Sequence, residues 1–296
     1  MLTSRPVQTE ADLPAMIELA SECWSLIGPN DYHPGQLCWE VPRLGRGGSA
    51  RLWFADDRLI ALCLFYARMG YGTLIHPHWR TPQTSFEVIK WAEAEYRASV
   101  NDPERPTRLL TTAYETETLR RSILEANGFV LDGFSQIHFR QALDHPIPPA
   151  PLPPGFTVRS ITGEHEAEPR VMVHREAFAP SRLTVLTYLD VMRTPGYRRE
   201  LDWVVIAPDG TFAAFCLCWL DERNHLGLIE PAGVHPDYRR RGLGRAVLTA
   251  GLSRLQSLGA TAAVVNARDD NEPGKRLYAS LGFHPANRSL GYAKTV

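Results

Sequence analysis

The segment Val234-His235-Pro236-Asp237-Tyr238-Arg239-Arg240-Arg241-Gly242-Leu243-Gly244 has residue types and a spacing suited to holding an anion. Two glycines one residue apart let the backbone approach a phosphate closely, and several successive N–H groups can then converge on one cluster of oxygens. An amphipathic helix begins just after the turn, so the positive end of its dipole adds to the attraction. Three arginines supply the longer-range pull. The turn lacks the Gly-x-x-x-x-Gly-Lys-Ser/Thr of a phosphate-binding P-loop, and Gly242-Leu243-Gly244 runs into Arg245-Ala246-Val247, so the third glycine of a dinucleotide fingerprint is missing as well.

The surrounding pattern predicts how such a turn is positioned. An apolar strand precedes it. Leu243, Val247, Leu248, Gly251, Leu252, Leu255 and Leu258 recur at helical spacing after it, with Gly259 where a helix C-terminus is expected. That stripe is core, and the N-terminal turn of the helix stays free for a ligand.

The chain has 296 residues, enough for about two domains, and 44% hydrophobic residues suffice for ordinary cores. A net charge of -1 excludes a broad electrostatic grip on nucleic acid, so the three arginines form a local patch suited to one small polyphosphate. The five cysteines, Cys23, Cys38, Cys63, Cys216 and Cys218, contain no Cys-x-x-Cys pair, which argues against a disulfide framework or structural zinc and for a reducing compartment. Cys216 and Cys218 fall on one face of a strand over 212–220 and read as packing residues. No histidine spacing suggests a metal. The first residues lack a signal-peptide core, and the longest apolar runs, 59–67 and 212–220, are far shorter than a membrane span. A soluble, cytoplasmic protein is expected, with no membrane partner; its oligomeric state is left open.

A proline-rich stretch over 144–155 divides the chain into residues 1–143 and 156–296 and reads as a semi-rigid linker. The flanks repeat one another. Ser4-Arg5-Pro6-Val7 matches Val158-Arg159-Ser160-Ile161, and Trp53-Phe54-Ala55-Asp56-Asp57 matches Val205-Ile206-Ala207-Pro208-Asp209. Ile75-His76-Pro77-His78-Trp79-Arg80 matches Val234-His235-Pro236-Asp237-Tyr238-Arg239, and Asn127-Gly128-Phe129 matches Leu281-Gly282-Phe283. The same order at similar spacing indicates duplication of a unit written strand, helix, three strands, helix, strand, helix, strand.

The pattern Val-x-Pro-x-x-Arg-Arg-x-Gly-x-Gly resembles the pyrophosphate motif of the GCN5-related N-acetyltransferases (GNAT), strongly from about residue 200 to 285 and faintly before residue 70. The resemblance implies an α/β fold of two tandem acyl-CoA N-acyltransferase domains, each a mixed central sheet flanked by helices. It implies acetyl-CoA as acyl donor, an amine as acceptor and no metal. Ala232, Gly233 and Val234 would offer backbone groups to the pantetheine arm and the thioester carbonyl. Arg239, Arg240, Arg241, Gly242, Leu243, Gly244 and Arg245 would surround the diphosphate. Asn266 to Phe283 resembles the second family motif, with Gly274 in place of the usual alanine. By position, Asn271 would bond the pantetheine arm and Tyr278 would return a proton to the departing thiolate. Helix capping ahead of Pro273 and aromatic packing beside Phe283 are their structural alternatives.

Some members carry a glutamate where this chain has Asn266, and an amide cannot take a proton. Glu230 is the expected replacement as general base, because period two puts it on the strand face of Ala232 and Val234; binding a cationic substrate is the alternative role. His235 falls on the opposite face and reads as structural. In the first half the repeat places Gln83 and Ser85 at the two glycine positions and Pro82 opposite Arg241, while Leu124 and Glu117 face Tyr278 and Asn271. That half is expected to keep the fold and to have lost the anion site. Thr81 and Pro82 still make a good helix start. Acetyl transfer to a primary amine of a small molecule or peptide in the second half is the reading; an acyl-CoA-binding regulator without catalysis is the alternative. Pocket walls are expected from residues 20–50 and 174–200, with Trp24, Tyr32, Trp39, Tyr188 and Tyr197.

Overall fold

The computed structural model describes residues 2–28, 32–44, 47–99 and 107–296. The first half runs β1 (Leu2–Pro6), α1 (Thr9–Ile27), α2 (Pro34–Glu40), β2 (Gly48–Ala55), β3 (Arg58–Tyr66), β4 (Gly70–Ile75), α3 (Pro82–Ala98), β5 (Leu109–Tyr114), α4 (Thr118–Ala126) and β6 (Val130–Ala142). The second runs β7 (Thr157–Ser160), α5 (Ala167–Ala177), α6 (Val185–Met192), β8 (Asp202–Ile206), β9 (Phe212–Asp221), β10 (Leu226–Val234), α7 (Leu243–Ser257), β11 (Ala262–Arg268), α8 (Glu272–Ser280) and β12 (His284–Lys294). The two halves share one order of elements, each with two helices between its first and second strands.

The strands do not stay within their own halves. β1 to β4 form an antiparallel sheet, and a second sheet has the order β5-β12-β6-β11-β10-β9-β8-β7. β6, from the first half, pairs antiparallel with β11 over Ala262↔Ala142 to Arg268↔Gln136. β12, from the second half, pairs antiparallel with β5, and β6 and β12 pair with each other. Each half thus gives its last strand to the other, so the sheet runs across the stretch 144–155 that separates the halves in sequence. That stretch is pinned rather than free: Gln256 Nε2 on α7 donates to the carbonyls of Leu143 and His145 at 2.8 Å each, and Ile147 and Leu152 pack on the core.

Further contacts lock the halves together. Trp24, Cys38 and Trp39 of α1 and α2 are buried in the same cluster as Tyr188, Phe215 and Trp219 of the second half. The backbone of Gly35 lies so close to Trp219 that a Cβ there would sit 2.2 Å from the indole Cγ. Ser21 Oγ donates to Asp221 Oδ1 at 2.6 Å.

The apolar stripe of α7 packs on one face of β8 to β10, with Leu243, Val247, Leu248, Leu252 and Leu255 all buried. Cys216 and Cys218 lie beneath it, buried, with their Sγ atoms 3.4 Å apart. A Cβ on Gly251 would come within 2.7 Å of Cys218 Sγ, so both cysteines act as small packing groups under a closely approaching helix.

Candidate active site

Among the described residues β10 and β11 are the one parallel pair in the larger sheet, and their register ends at Ile229↔Val265. Beyond it β10 continues beside β9 with a register shift between Ile229 and Ala232. The two strands therefore part, and a cavity of about 1040 Å3 opens where they diverge. Its walls come from both halves, including Tyr32, Gln36, Trp39, Glu40 and Arg43 from the first and Glu230, Ala232, Asn266, Asn271 and Tyr278 from the second.

Glu230 reaches this chamber by a route the alternation of a regular strand does not describe. The irregularity after Ile229 brings Glu230, Pro231 and Ala232 to the wall in succession, while Gly233 is enclosed, with a Cβ there 2.8 Å from Ala177 Cβ. The expected face-sharing with Val234 is thus replaced by a bulge. Burial pushes the Glu230 carboxyl up to about 8, and repulsion from Glu40 adds to the rise. Arg43 and a hydrogen bond from Gln36 act against it. The Arg43 guanidinium stacks over Trp39 at 5.3 Å. Gln36, Glu40 and Arg43 carry no motif in the sequence; they reach Glu230 because α2 docks on β9.

Tyr278 lies on α8, half-buried, its ring 5.9 Å from Phe139 and 6.0 Å from Phe283. Burial raises its phenol above the ordinary tyrosine value, with Cys216 and Glu230 adding to the rise. The aromatic packing reading thus holds alongside a place on the chamber wall, and no described residue bonds the hydroxyl. Asn271 also supports the fold, since its Oδ1 caps α8 by accepting from Gly274 N at 3.1 Å. A Cβ on Gly274 would fall 2.6 Å from Asn271 Nδ2, which accounts for glycine there instead of alanine.

The arginine turn lies just past the end of β10. Arg240 (φ 60°) and Gly242 (φ 81°) are both left-handed, Gly242 being the N-cap of α7. The first helical bond runs from Ala246 N to Gly242 O. The N–H groups of Gly242, Leu243, Gly244 and Arg245 therefore have no intrahelical acceptor, which is the donor array an anion needs. Arg239, Arg240, Arg241 and Arg245 are exposed. Arg239 Nε donates to Val234 O at 3.4 Å, Arg241 Nη2 to Asp237 O at 3.3 Å and Arg245 Nη2 to Ser280 O at 2.9 Å. Open space surrounds the Cβ direction of Gly242. A Cβ on Gly244 would press at 3.2 Å on both Leu277 and Val234, so close packing of α7 also requires that glycine. These donors and charges fit a diphosphate. His235, as expected, is structural: its Nδ1 accepts from Asp237 N at 3.2 Å.

The matching place in the first half differs in kind. Arg80 Nε donates to Ile75 O at 3.0 Å, the counterpart of the Arg239 contact, but its Nη1 donates to Glu117 Oε1 at 3.0 Å. The charge is therefore spent inside the fold. Thr81 caps α3, accepting from Thr84 N at 3.2 Å, and Pro82 removes one N–H from the turn.

Of the aromatic residues expected in the pocket walls, Tyr32 and Trp39 line the chamber. Trp24, Tyr188 and Tyr197 do not. Trp24 is buried in the core, and both tyrosines turn to the buried Asp202, which Arg170 also bonds at 2.8 Å. Residues 29–31 and 45–46 of the expected wall lie outside the described residues. The strand exchange adds Gln136 and His138 of β6 and Ser289 of β12, which have no local signature in the sequence. Among the described residues no helix is long and apolar enough to cross a membrane, and no group of three or more His, Cys, Asp or Glu could hold a metal ion.

Residues 172–283 match the Acetyltransferase (GNAT) family. A mycothiol acetyltransferase from Actinosynnema mirum is 30% identical over 147 residues, 48% of this chain and 49% of that protein. One from Corynebacterium aurimucosum is 39% identical over 69 residues, 23% of each chain. The A. mirum match and most others to such enzymes span about half the length of those relatives. Among solved structures, a GCN5-related N-acetyltransferase from Sphaerobacter thermophilus has a TM-score of 0.67 at 22% identity, covering 99% of this chain and 95% of that one. A tandem GNAT protein from the clavulanic acid biosynthesis pathway has a TM-score of 0.69 at 16% identity, covering 99% and 98%. With whole-chain likeness to a tandem structure, this chain has the tandem GNAT fold, and the part of its second half that holds the diverging strands, the arginine turn and α8 matches the GNAT acetyltransferase family.

Proposed function

We propose that the protein transfers an acetyl group from acetyl-CoA directly to a primary amine, at the chamber formed where β10 and β11 diverge. The observation that carries this reading is the contrast between two copies of one turn. In the second half the four N–H groups that open α7 and the exposed arginines beside them are placed for a diphosphate, and in the first the arginine is tied to Glu117 beside a proline. The first half then serves as scaffold and as one wall of the acceptor pocket.

The chemistry follows from placement. Arg240 to Arg245 hold the diphosphate, Ala232 and Gly233 offer backbone groups to the arm and the carbonyl, and Asn271, while capping α8, lies beside its path. An amine attacks only when neutral. Glu230, raised to about 8, is close in proton affinity to an ammonium and takes that proton, directly or through one water. The nitrogen bonds to the carbonyl carbon, the carbon–sulfur bond breaks, Tyr278 gives its proton to the thiolate, and the second proton shed by the new amide nitrogen returns through water to the phenolate. The phenol's raised proton affinity keeps it protonated until then.

The acceptor is a small molecule or peptide amine, and the mycothiol acetyltransferases among the relatives make a thiol-bearing amine a reasonable first probe. The test is thiol release from acetyl-CoA across a panel of amines, with intact-mass detection of the product. Turnover that falls in both Tyr278→Phe and Glu230→Gln supports the assignment. Tight acetyl-CoA binding with no turnover on any amine favours an acyl-CoA-binding regulator instead.

A further inference from the structure

A buried hydroxyl beside a half-buried imidazole and amide takes its partner from among them, because an unspent donor in an enclosed site costs about as much as a lost hydrogen bond. Ser289 on β12 is 6% exposed, and its Oγ lies 2.5 Å from His138 Nε2 on β6. No other described group bonds that hydroxyl, so its proton goes to Nε2 and the imidazole keeps its own on Nδ1. Asn266 stands directly opposite His138 in the β11–β6 register and bonds its ring. With Nε2 facing Ser289, Nδ1 is the ring atom left for Asn266, and a proton on Nδ1 would be donated to the amide oxygen. The Tyr114 ring lies 4.7 Å from the imidazole, tilted 51° to it. Burial holds His138 at about 4, so the ring stays neutral and the direction of the chain does not reverse near neutral pH. All three residues line the chamber that holds Glu230 and Ala232.

A chain with this direction leaves the amide nitrogen of Asn266 as its outward end. We propose that Ser289 and His138 are positioning residues which hold Asn266 as a hydrogen-bond donor toward the acceptor, selecting amines that carry a carbonyl or hydroxyl oxygen near the reacting nitrogen. The inference rests on the assignment of the chamber to an amine acceptor. It also gives the strand exchange a role, since His138 reaches the site only because β6 crosses from the first half.

The test compares an α-amino amide and a 2-amino alcohol with the alkylamine of equal length. Wild-type protein is expected to favour the oxygen-bearing amines by about tenfold to a hundredfold in kcat/KM, the range for one well-placed hydrogen bond in an enclosed site. Asn266→Ala and His138→Phe should both bring that ratio close to one. His138→Asn, which keeps a donor near the Nδ1 position, should restore part of it, and His138→Gln should not. Equal use of both amine classes by wild type, or a ratio unchanged in His138→Phe, overturns the proposal. Nitrogen-15 NMR of the wild-type His138 ring, which needs no turnover, should show the Nδ1–H tautomer, and an Nε2–H tautomer overturns the relay. Absence of turnover with every amine would instead overturn the acetyl-transfer reading, while the tautomer still decides the relay.

Discussion

Replacing Glu230 with glutamine should change stability and turnover with pH in a linked way. The carboxyl moves from an ordinary 4.5 to about 8 on folding, because burial and Glu40 outweigh Arg43 and Gln36. Between those two values the native state keeps a proton that the unfolded chain has lost, so Glu230 lowers stability progressively as pH rises through that window. Below it both states are protonated and the residue contributes nothing. At about 1.36 kcal/mol per pH unit, the full displacement corresponds to about 5 kcal/mol above pH 8. The side chain is only half-buried at the wall of a large chamber, so solvent screening reduces this to about 2 kcal/mol. Urea unfolding should therefore show Glu230→Gln and wild type nearly equal at pH 4.5 and the variant more stable by about 2 kcal/mol at pH 8.5. Over the same range wild-type kcat/KM should climb about tenfold per pH unit and level off near 8, as Glu230 ionises. The variant should lose that limb, with kcat down about 10²- to 10⁴-fold. A variant that is equally destabilised at both pH values and keeps the rising limb would refute both the buried, proton-retaining carboxyl and its role as base.

Further outcomes follow from single contacts. Tyr278→Phe keeps the ring between Phe139 and Phe283 and should fold normally, with kcat lowered about 10²-fold or more and acetyl-CoA affinity by calorimetry little changed. Gly242→Ala places a Cβ at a φ of 81° and should cost about 1 kcal/mol in urea unfolding while weakening acetyl-CoA binding. Gly35→Ala drives a methyl into Trp219 and should destabilise by about 2 kcal/mol or more, read as a fall in unfolding midpoint. Residues 156–296 expressed alone lack β6 and leave β11 as an open apolar edge, so they should aggregate or unfold without cooperativity by light scattering and circular dichroism. A soluble, active fragment would contradict the exchanged-strand architecture.

Much of this protein was legible along the chain because the information is local. Apolar periodicity placed α7, and Thr81-Pro82 marked the start of α3. The repeated His-Pro lead-in gave both copies of the turn, since glycine spacing and capping chemistry act within a few residues. The motif singled out Asn271 and Tyr278 with capping and packing as their alternative roles, and the fold places both at the chamber wall while one caps α8 and the other packs on Phe139 and Phe283. Glu230 was expected at the site on the assumption of a regular strand; it reaches the chamber through a bulge instead, which no alternation of residue types announces.

What lay beyond the sequence is what depends on pairing between distant segments. Nothing near Val130 or His284 in the chain signals that β6 and β12 exchange places, because either strand has the same local pattern whichever sheet receives it. The exchange brings His138 and Ser289 to the chamber, and the docking of α2 against Trp219 brings Gln36, Glu40 and Arg43 beside Glu230. Those neighbours set the carboxyl's proton affinity. The sequence by itself determined the duplicated unit, though with one helix where each copy has two between its first strands, and an arginine–glycine turn complete in one copy alone; only the tertiary structure decided which side chains share the chamber, because burial and charge proximity are properties of three-dimensional neighbours.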